Sequence, residues 1–117
     1  MMKYLITQIF IIVLLNLSIC QDELILDELH AMGTSYYNSG DYENAIIIYE
    51  DLLAAQEFFP RNDDMQIAET LTRLGEMYAL MDMHDTSEYY FHQAITILEK
   101  LFQNQKNVLE TPLLNLL

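Results

Sequence analysis

The sequence predicts an all-α fold, and three observations support the prediction of helices; a repeated register extends it to an α-solenoid of antiparallel helical hairpins. The 117 residues include only three glycines and two prolines, too few for the many tight turns of a sandwich or a barrel. Met, Leu, Ala, Glu and Gln, which favour helices, are common. From Leu24 onward, apolar residues recur at steps of three and four, which is the spacing of one helix face.

Residues 1–20 form a separate unit. Lys3 is their only charged residue, a long apolar run follows, and Ser18-Ile19-Cys20 ends the segment. This order is typical of a signal peptide, so we expect residues 1–20 to be removed after Cys20. The mature domain, residues 21–117, would then be secreted or periplasmic. Two alternatives stay open: an uncleaved anchor, and a bacterial lipoprotein signal in which Cys20 carries the lipid.

Charge and cysteine content exclude several classes of protein. The formal net charge is −13, with acidic residues scattered through the mature region. Such a surface repels nucleic acid, so we expect no nucleic-acid partner. Cys20 is the only cysteine, which leaves the mature domain without a disulfide. Its stability must therefore come from packing.

The first repeat, about residues 24–63, is predicted to contain two helices. Asn38-Ser39-Gly40-Asp41 breaks the first of them, and Asp41 is expected to cap the second because its carboxylate can accept from a free backbone N–H. Pro60 is expected to end the second helix, since proline cannot continue one. Asn62, Asp63 and Asp64 can then cap the next helix.

The second repeat, about residues 64–107, follows the same plan with a turn at Asp82–Asp85. We expect residues 103–107, Gln-Asn-Gln-Lys-Asn, to be a polar linker. Thr111 and Pro112 then look like an N-cap followed by proline in the first helical turn, where its missing N–H costs nothing. The sequence thus predicts two repeats plus the first helix of a third, about residues 108–117.

The two repeats share one register. Residues 42 positions apart match in type, and we call such a pair register mates. The four pairs expected to form the packing within each hairpin are Gly33 with Gly75, Tyr36 with Tyr78, Ala45 with Ser87, and Tyr49 with Phe91. Closely packed antiparallel helices need a small residue where the backbones approach, and an aromatic ring then fills the space one turn along. A glycine in mid-helix costs roughly 0.5–1 kcal/mol, which tight packing must offset.

This pattern resembles the tetratricopeptide repeat, whose consensus reads L-G-x2-Y and then A-x3-F. Here the pieces are Met32-Gly33-x2-Tyr36 with Ala45-x3-Tyr49, and Leu74-Gly75-x2-Tyr78 with Ser87-x3-Phe91. The repeats are longer than the usual period of about 34 residues. In this respect they look like the repeats of kinesin light chains. Gly40 becomes Asp82 in the second repeat, so a less regular turn is expected there.

The resemblance implies a concave groove, lined by the first helix of each hairpin, that binds a protein or peptide partner. Carried over by register, the groove residues are His30, Thr34, Tyr37, Asn38, Thr72, Arg73, Glu76 and Leu80. Arg73 could grip a carboxylate of the partner. It could equally pair with Glu76 or Glu69 along its own helix.

Signs of an enzyme are missing from the sequence. It carries no G-x-S-x-G, no H-E-x-x-H, no phosphate loop and no dinucleotide fingerprint. Asp82, His84, Asp85 and Glu88 could be imagined as a cation site, but a solvated turn with acidic residues at a helix start explains them. We therefore expect no catalytic residue, no metal and no cofactor.

The C-terminal end, Pro-Leu-Leu-Asn-Leu-Leu, offers apolar residues where a terminal repeat normally has a polar face. Further repeats or another chain are expected to pack on this edge. The predicted function is a noncatalytic scaffold that acts outside the cytoplasm. Two alternatives are the N-terminal part of a larger secreted protein, such as a CHAT-type peptidase, and a lipid-anchored assembly factor of a cell envelope.

Overall fold

Four α-helices follow one another in a computed structural model that describes residues 2–59 and 63–116. Within these ranges it describes every side chain except those of Ile19 and residues 111–116. The helices are α1 (Met2–Asn38), α2 (Tyr42–Phe58), α3 (Asp64–Leu80) and α4 (His84–Leu116). Each packs against the next, which confirms the all-α architecture of stacked helical hairpins.

The turn between α1 and α2 forms as the sequence predicts. Gly40 adopts φ 79°, a left-handed conformation that suits glycine. The backbone N–H of Asp41 donates to the carbonyl of Tyr36 over 3.0 Å, which closes the end of α1. The carboxylate of Asp41 accepts from the backbone N–H and the side-chain amide of Asn44, so Asp41 is the N-cap of α2.

The turn between α3 and α4 is as regular as the first one, which corrects the expectation drawn from Asp82. Asp82 adopts φ 60°, and the N–H of Met83 donates to the carbonyl of Tyr78 over 2.9 Å. This is the register mate of the bond from Asp41 to Tyr36. Aspartate replaces glycine here because it is one of the few residues that enter the left-handed region readily.

The α2–α3 connection is capped at both of its described ends. The N–H of Phe59 donates to the carbonyl of Ala55, and the carboxylate of Asp63 accepts from the N–H of Met65 over 3.0 Å. Asp63 is therefore the N-cap of α3, and it is one of the three residues that the sequence offered as caps. Pro60, which was predicted to end α2, and Asn62, a candidate cap of α3, lie outside the described residues.

Within each hairpin, the glycine lies under an aromatic ring of the partner helix. The ring of Tyr49 covers Gly33, and the ring of Phe91 covers Gly75, each so closely that a Cβ would come within 3 Å of it. Ala45 is fully buried beside the first contact. Its register mate Ser87 is also buried, and its hydroxyl donates to the carbonyl of Gly75 over 2.7 Å. The aromatic that fills the glycine gap thus comes from the second helix of each hairpin.

The prediction that Tyr36 belongs to the core is wrong. Tyr36 is 37% exposed, whereas Tyr49 is buried and Tyr78 is half-buried. Tyr78 lies between α2, where it bonds Glu50, and α4, where it stacks on Tyr90. Tyr36 occupies the same place in the first repeat, but no described helix stands before α1 to cover it.

The N-terminal segment is helical and continuous with the first repeat. α1 passes through Cys20 without a break, and the exposed Cys20 lies on its surface. α1 contains an 18-residue window with mean hydropathy 2.0, none of it buried, which is long and apolar enough to cross a membrane. A signal sequence meets the same criterion, so processing after Cys20 stays a prediction.

The C-terminal segment differs from what the sequence predicts. α4 runs without interruption to Leu116, so residues 103–107 are helical rather than a linker, and no separate fifth helix begins at Thr111. Glutamine, asparagine and lysine can continue a helix when no glycine or proline intervenes. The pair Lys106–Glu110, at 3.7 Å one turn apart, lies on this stretch. The apolar side chains expected to form the C-terminal edge, residues 112–117, lie outside those described.

Candidate functional site

A cleft of about 300 Å³ lies between α1 and α3, with α2 as its floor. Three helices contribute side chains to it. The lining residues are Leu26, Asp27 and His30 of α1, Tyr49, Leu52 and Gln56 of α2, and Gln66, Glu69, Thr70 and Arg73 of α3. The first helix of each hairpin thus forms a wall of the cleft, and the second helix of the first hairpin closes the bottom.

The floor of the cleft is rigid and mainly apolar. Tyr49 and Leu52 are almost completely buried, and the Tyr49 hydroxyl lies 3.1 Å from the Thr34 hydroxyl, within hydrogen-bonding distance. His30 meets the Tyr49 ring edge-on, with the ring centroids 6.4 Å apart. A partner side chain entering the cleft would therefore meet an aromatic surface that cannot easily move.

Arg73 is engaged within the protein. Its Nη1 lies 3.5 Å from Oε2 of Glu76, three residues along α3. Its guanidinium also lies over the ring of Tyr37, 5.1 Å from the ring centroid, which is a cation–π geometry. Tyr37 in turn packs edge-on against Tyr42. Of the options left open by the sequence, the structure shows the pairing with Glu76.

One comparison with known proteins returned a match. A family model described as tetratricopeptide repeat matches residues 26–100. The chain belongs to the tetratricopeptide repeat family. A search of curated proteins found no match, and neither did a search of solved structures. The matched range contains both tetratricopeptide hairpins, and it leaves out the apolar start of α1 and the last part of α4.

The groove residues carried over from the tetratricopeptide pattern occupy three kinds of position. His30 and Arg73 line the cleft directly. Thr34, Tyr37 and Glu76 support it through their contacts with Tyr49 and Arg73. The remaining three do not line it. These are Asn38, exposed at the end of α1, Leu80, exposed at the end of α3, and Thr72, whose hydroxyl donates to the carbonyl of Ala68.

Sequence reasoning missed most of the lining. Asp27 lies one turn before His30, and Glu69 one turn before Arg73. Extending the three- and four-residue steps toward the start of each helix would have found both. The floor residues Tyr49, Leu52 and Gln56 gave no such signal, because the tetratricopeptide pattern assigns the second helix to packing.

The cleft is acidic. Asp27 and Glu69 are exposed on opposite walls of the cleft. Among the described residues that line the cleft, Arg73 is the only arginine or lysine, and it is already paired with Glu76. The entire chain carries a formal charge of −13, so no long-range field offsets these carboxylates. The site therefore suits a cationic group and disfavours an acidic one.

The acidic turn between α3 and α4 shows no arrangement for a cation. Asp82, His84, Asp85 and Glu88 are all exposed there. Across residues 2–59 and 63–116, no group of three or more histidine, cysteine or carboxylate side chains is placed to hold a metal ion.

Proposed function

We propose that the chain is a noncatalytic scaffold that binds a cationic segment of a protein partner in the cleft between α1 and α3. Tetratricopeptide repeats build concave surfaces for protein interaction, and the cleft lies between the first helices of the two hairpins, which supports its use for this purpose. The observation that carries the proposal is the composition of the cleft. Its floor is buried and mainly apolar, and its walls carry the exposed carboxylates of Asp27 and Glu69, for which the described residues provide no ion pair.

The floor and the walls recognise different parts of the segment. Leu26, Tyr49 and Leu52 offer apolar surface to a medium-sized apolar side chain. Asp27 and Glu69 stand on either side, where they can accept from lysine or arginine side chains of the segment. A short segment that alternates basic and apolar residues fits this arrangement. An acidic segment would have to displace Glu76 from Arg73 and would still face both wall carboxylates.

Binding of a labelled peptide to the full chain tests this function. The probe is a short fluorescein-labelled peptide that alternates lysine and leucine, and the comparison probe replaces each lysine by glutamate. Fluorescence anisotropy should show binding of the lysine peptide alone, and binding should weaken as salt is added because the contacts are ionic. Removing both wall charges with Asp27→Asn and Glu69→Gln should weaken binding by about tenfold or more.

A matched variant controls for the overall charge of the protein. Asp51→Asn with Glu43→Gln removes the same two kinds of charge from exposed positions of α2 outside the cleft. Binding by this variant should remain close to that of the parent chain. Equal loss in both variants, or tighter binding of the glutamate peptide, would show that the cleft is not the site.

We further propose that the scaffold acts outside the cytoplasm after residues 1–20 are removed. The single basic residue, the apolar run and the exposed Cys20 ahead of the matched repeats support this processing. Mass spectrometry of the N-terminus of the purified protein distinguishes the possibilities. A chain beginning at Gln21 supports secretion, a diacylated Cys20 supports a lipid-anchored envelope protein, and an intact residue 1–20 segment supports a membrane anchor.

A further inference from the structure

One histidine of the chain stands in the cleft, and the other two lie elsewhere. The chain has three histidines. His30 lines the cleft from α1 and meets the ring of Tyr49 edge-on, and among the described lining residues it is the only histidine. His84 and His92 are exposed on α4. Histidine is the side chain that ordinarily changes its charge between pH 5 and 8, so the cleft contains a residue of the type that responds to pH in this range.

Each helix around the cleft presents different groups to His30. On α1, Asp27 lies three residues before it and therefore on the same face of the helix. α2 presents Tyr49 and, among its described lining residues, no charged side chain. On α3, Glu69 and Arg73 stand across the cleft. Carboxylate, phenol and guanidinium groups ordinarily keep one charge state between pH 5.5 and 7.5, which leaves histidine as the type of group that responds to pH here.

A proton on His30 would remove the net negative charge of the cleft lining. While the imidazole is neutral, the carboxylates of Asp27 and Glu69 exceed the guanidinium of Arg73 by one charge. The protonated imidazole adds one positive charge and brings the lining to neutrality. It can also pair with Asp27 along the helix, which engages a carboxylate that a cationic segment would otherwise use. Both effects act against a cationic ligand.

We infer that His30 makes the binding of a cationic partner segment depend on pH, so that the cleft binds the segment well while His30 is neutral and weakly when His30 is protonated. The inference rests on the proposed function and names a regulation of that same site. Like charges that meet in a partly exposed cleft repel each other, which should weaken binding by about fivefold. The lysines of the ligand keep their charge throughout, so the change lies in the protein.

The same coupling acts in the opposite direction. Because the coupling of two binding events is reciprocal, a cationic ligand in the cleft must disfavour the proton on His30 by the same factor. The bound peptide should therefore move the titration of the His30 ring to lower pH. A residue that only supports the shape of the cleft would not show this response.

The first measurement is fluorescence anisotropy of the lysine–leucine peptide with the full chain, at pH 7.5 and pH 5.5 and at constant ionic strength. The parent chain should bind about fivefold more weakly at pH 5.5. His30→Gln removes the imidazole, so the ratio of its two dissociation constants should be close to one, whatever its affinity at pH 7.5. His30→Lys carries a permanent positive charge. It should bind more weakly than His30→Gln at both pH values.

The other two histidines provide matched controls. His84→Gln and His92→Gln remove the same group from exposed positions of α4 outside the cleft. They test whether a general loss of negative charge on acidification weakens binding. Both variants should keep the fivefold ratio of the parent chain. Because His30 is exposed as well, circular dichroism should show the same helix content for all four variants.

The second measurement follows the histidine ring resonances by NMR during a pH titration, with and without saturating lysine–leucine peptide. The three variants that lack one histidine each assign the three rings. The peptide should move the titration of His30 to lower pH and leave those of His84 and His92 nearly unchanged, because the latter two lie outside the cleft.

The outcomes separate the regulation from the binding itself. A parent chain that does not bind the lysine–leucine peptide at pH 7.5 would contradict the proposed function and the regulation with it. Equal binding at both pH values would overturn the regulation alone, as would a His30→Gln variant that keeps the fivefold ratio. A peptide that moves the titrations of all three histidines equally would also overturn it, since overall charge would then be the cause.

Discussion

The first helices of repeat 1 and repeat 2 share one sequence register but differ in how deeply their apolar side chains are buried. Leu74 of α3 is completely buried between α2 and α4, while its register mate Met32 of α1 is 40% exposed. The same holds for Ile67 and Ile25. α3 has a helix on each side, whereas α1 has only α2. In a solenoid, the stability of each hairpin therefore depends on its neighbours as much as on its own residues.

The largest expected difference between the repeats concerns truncation of Leu74 and Met32. Leu74→Ala should lower the free energy of unfolding by about 3 kcal/mol, because it leaves a cavity between packed helices. Met32→Ala should cost less than about 1 kcal/mol, since water already reaches that side chain. Urea unfolding followed by circular dichroism measures both. Equal losses would mean that the outer side of α1 is covered in solution as α3 is, and would contradict the comparison.

A smaller difference is expected at the two glycines. A Cβ at Gly33 would lie 2.9 Å from Cε2 of Tyr49, and one at Gly75 would lie 2.8 Å from two ring carbons of Phe91. Alanine gains about 1 kcal/mol of helix propensity at either site. The Tyr49 ring is buried and its hydroxyl is held near Thr34, whereas the Phe91 ring is half-buried and can shift.

Gly33→Ala should therefore destabilise the chain by about 1–2 kcal/mol, the usual cost of overpacking after the propensity gain. Gly75→Ala should change stability by less than about 1 kcal/mol. Urea midpoints with unchanged slopes would measure both effects. A larger loss at Gly75 would contradict the idea that the freedom of the covering ring decides the outcome.

The smallest expected effect concerns the contact of Tyr78 and Tyr90 with Glu50 of α2, and it appears at high pH. Burial raises the pKa of Tyr78, and the hydrogen bond to Glu50 raises it further; burial and the charge of Glu50 likewise raise the pKa of Tyr90. In the unfolded chain both tyrosines ionise near pH 10. Above that pH the unfolded state loses protons that the folded state keeps, so stability should fall as pH rises from about 10.

Tyr78→Phe should reduce this alkaline loss, because one of the two perturbed hydroxyls is gone. Tyr36→Phe is the matched control in repeat 1, where the exposed hydroxyl makes no bond to Glu50. Thermal unfolding at neutral pH and above pH 10 compares the variants with the parent chain. If Tyr36→Phe reduced the alkaline loss of stability as much as Tyr78→Phe, the contact of Tyr78 with Glu50 would not be its source.

The local pattern of the chain was sufficient to predict much of the fold. Asp41 and Asp63 were identifiable as caps, and the shared spacing of glycine and aromatic residues identified the hairpins, because these depend on residues close in sequence. The lining of the cleft was predicted only in part. His30 and Arg73 were found from the register, but Gln56 and Leu52 of the floor were not, since nothing local distinguishes a buried residue that faces a cleft from one that faces a helix.

The sequence by itself determined the number of hairpins, their 42-residue register, their caps and the acidic character of the surface, because local hydrogen bonding, side-chain size and charge decide these features. Only the tertiary structure decided that Tyr36 is exposed, that Arg73 is occupied by Glu76 and Tyr37, and that α4 continues through residues 103–107. The reason is that burial and pairing depend on which helices stand beside a residue. Identical positions in the first helices of the two repeats therefore take different environments, because α3 has a helix on each side and α1 packs on α2 alone among the described helices.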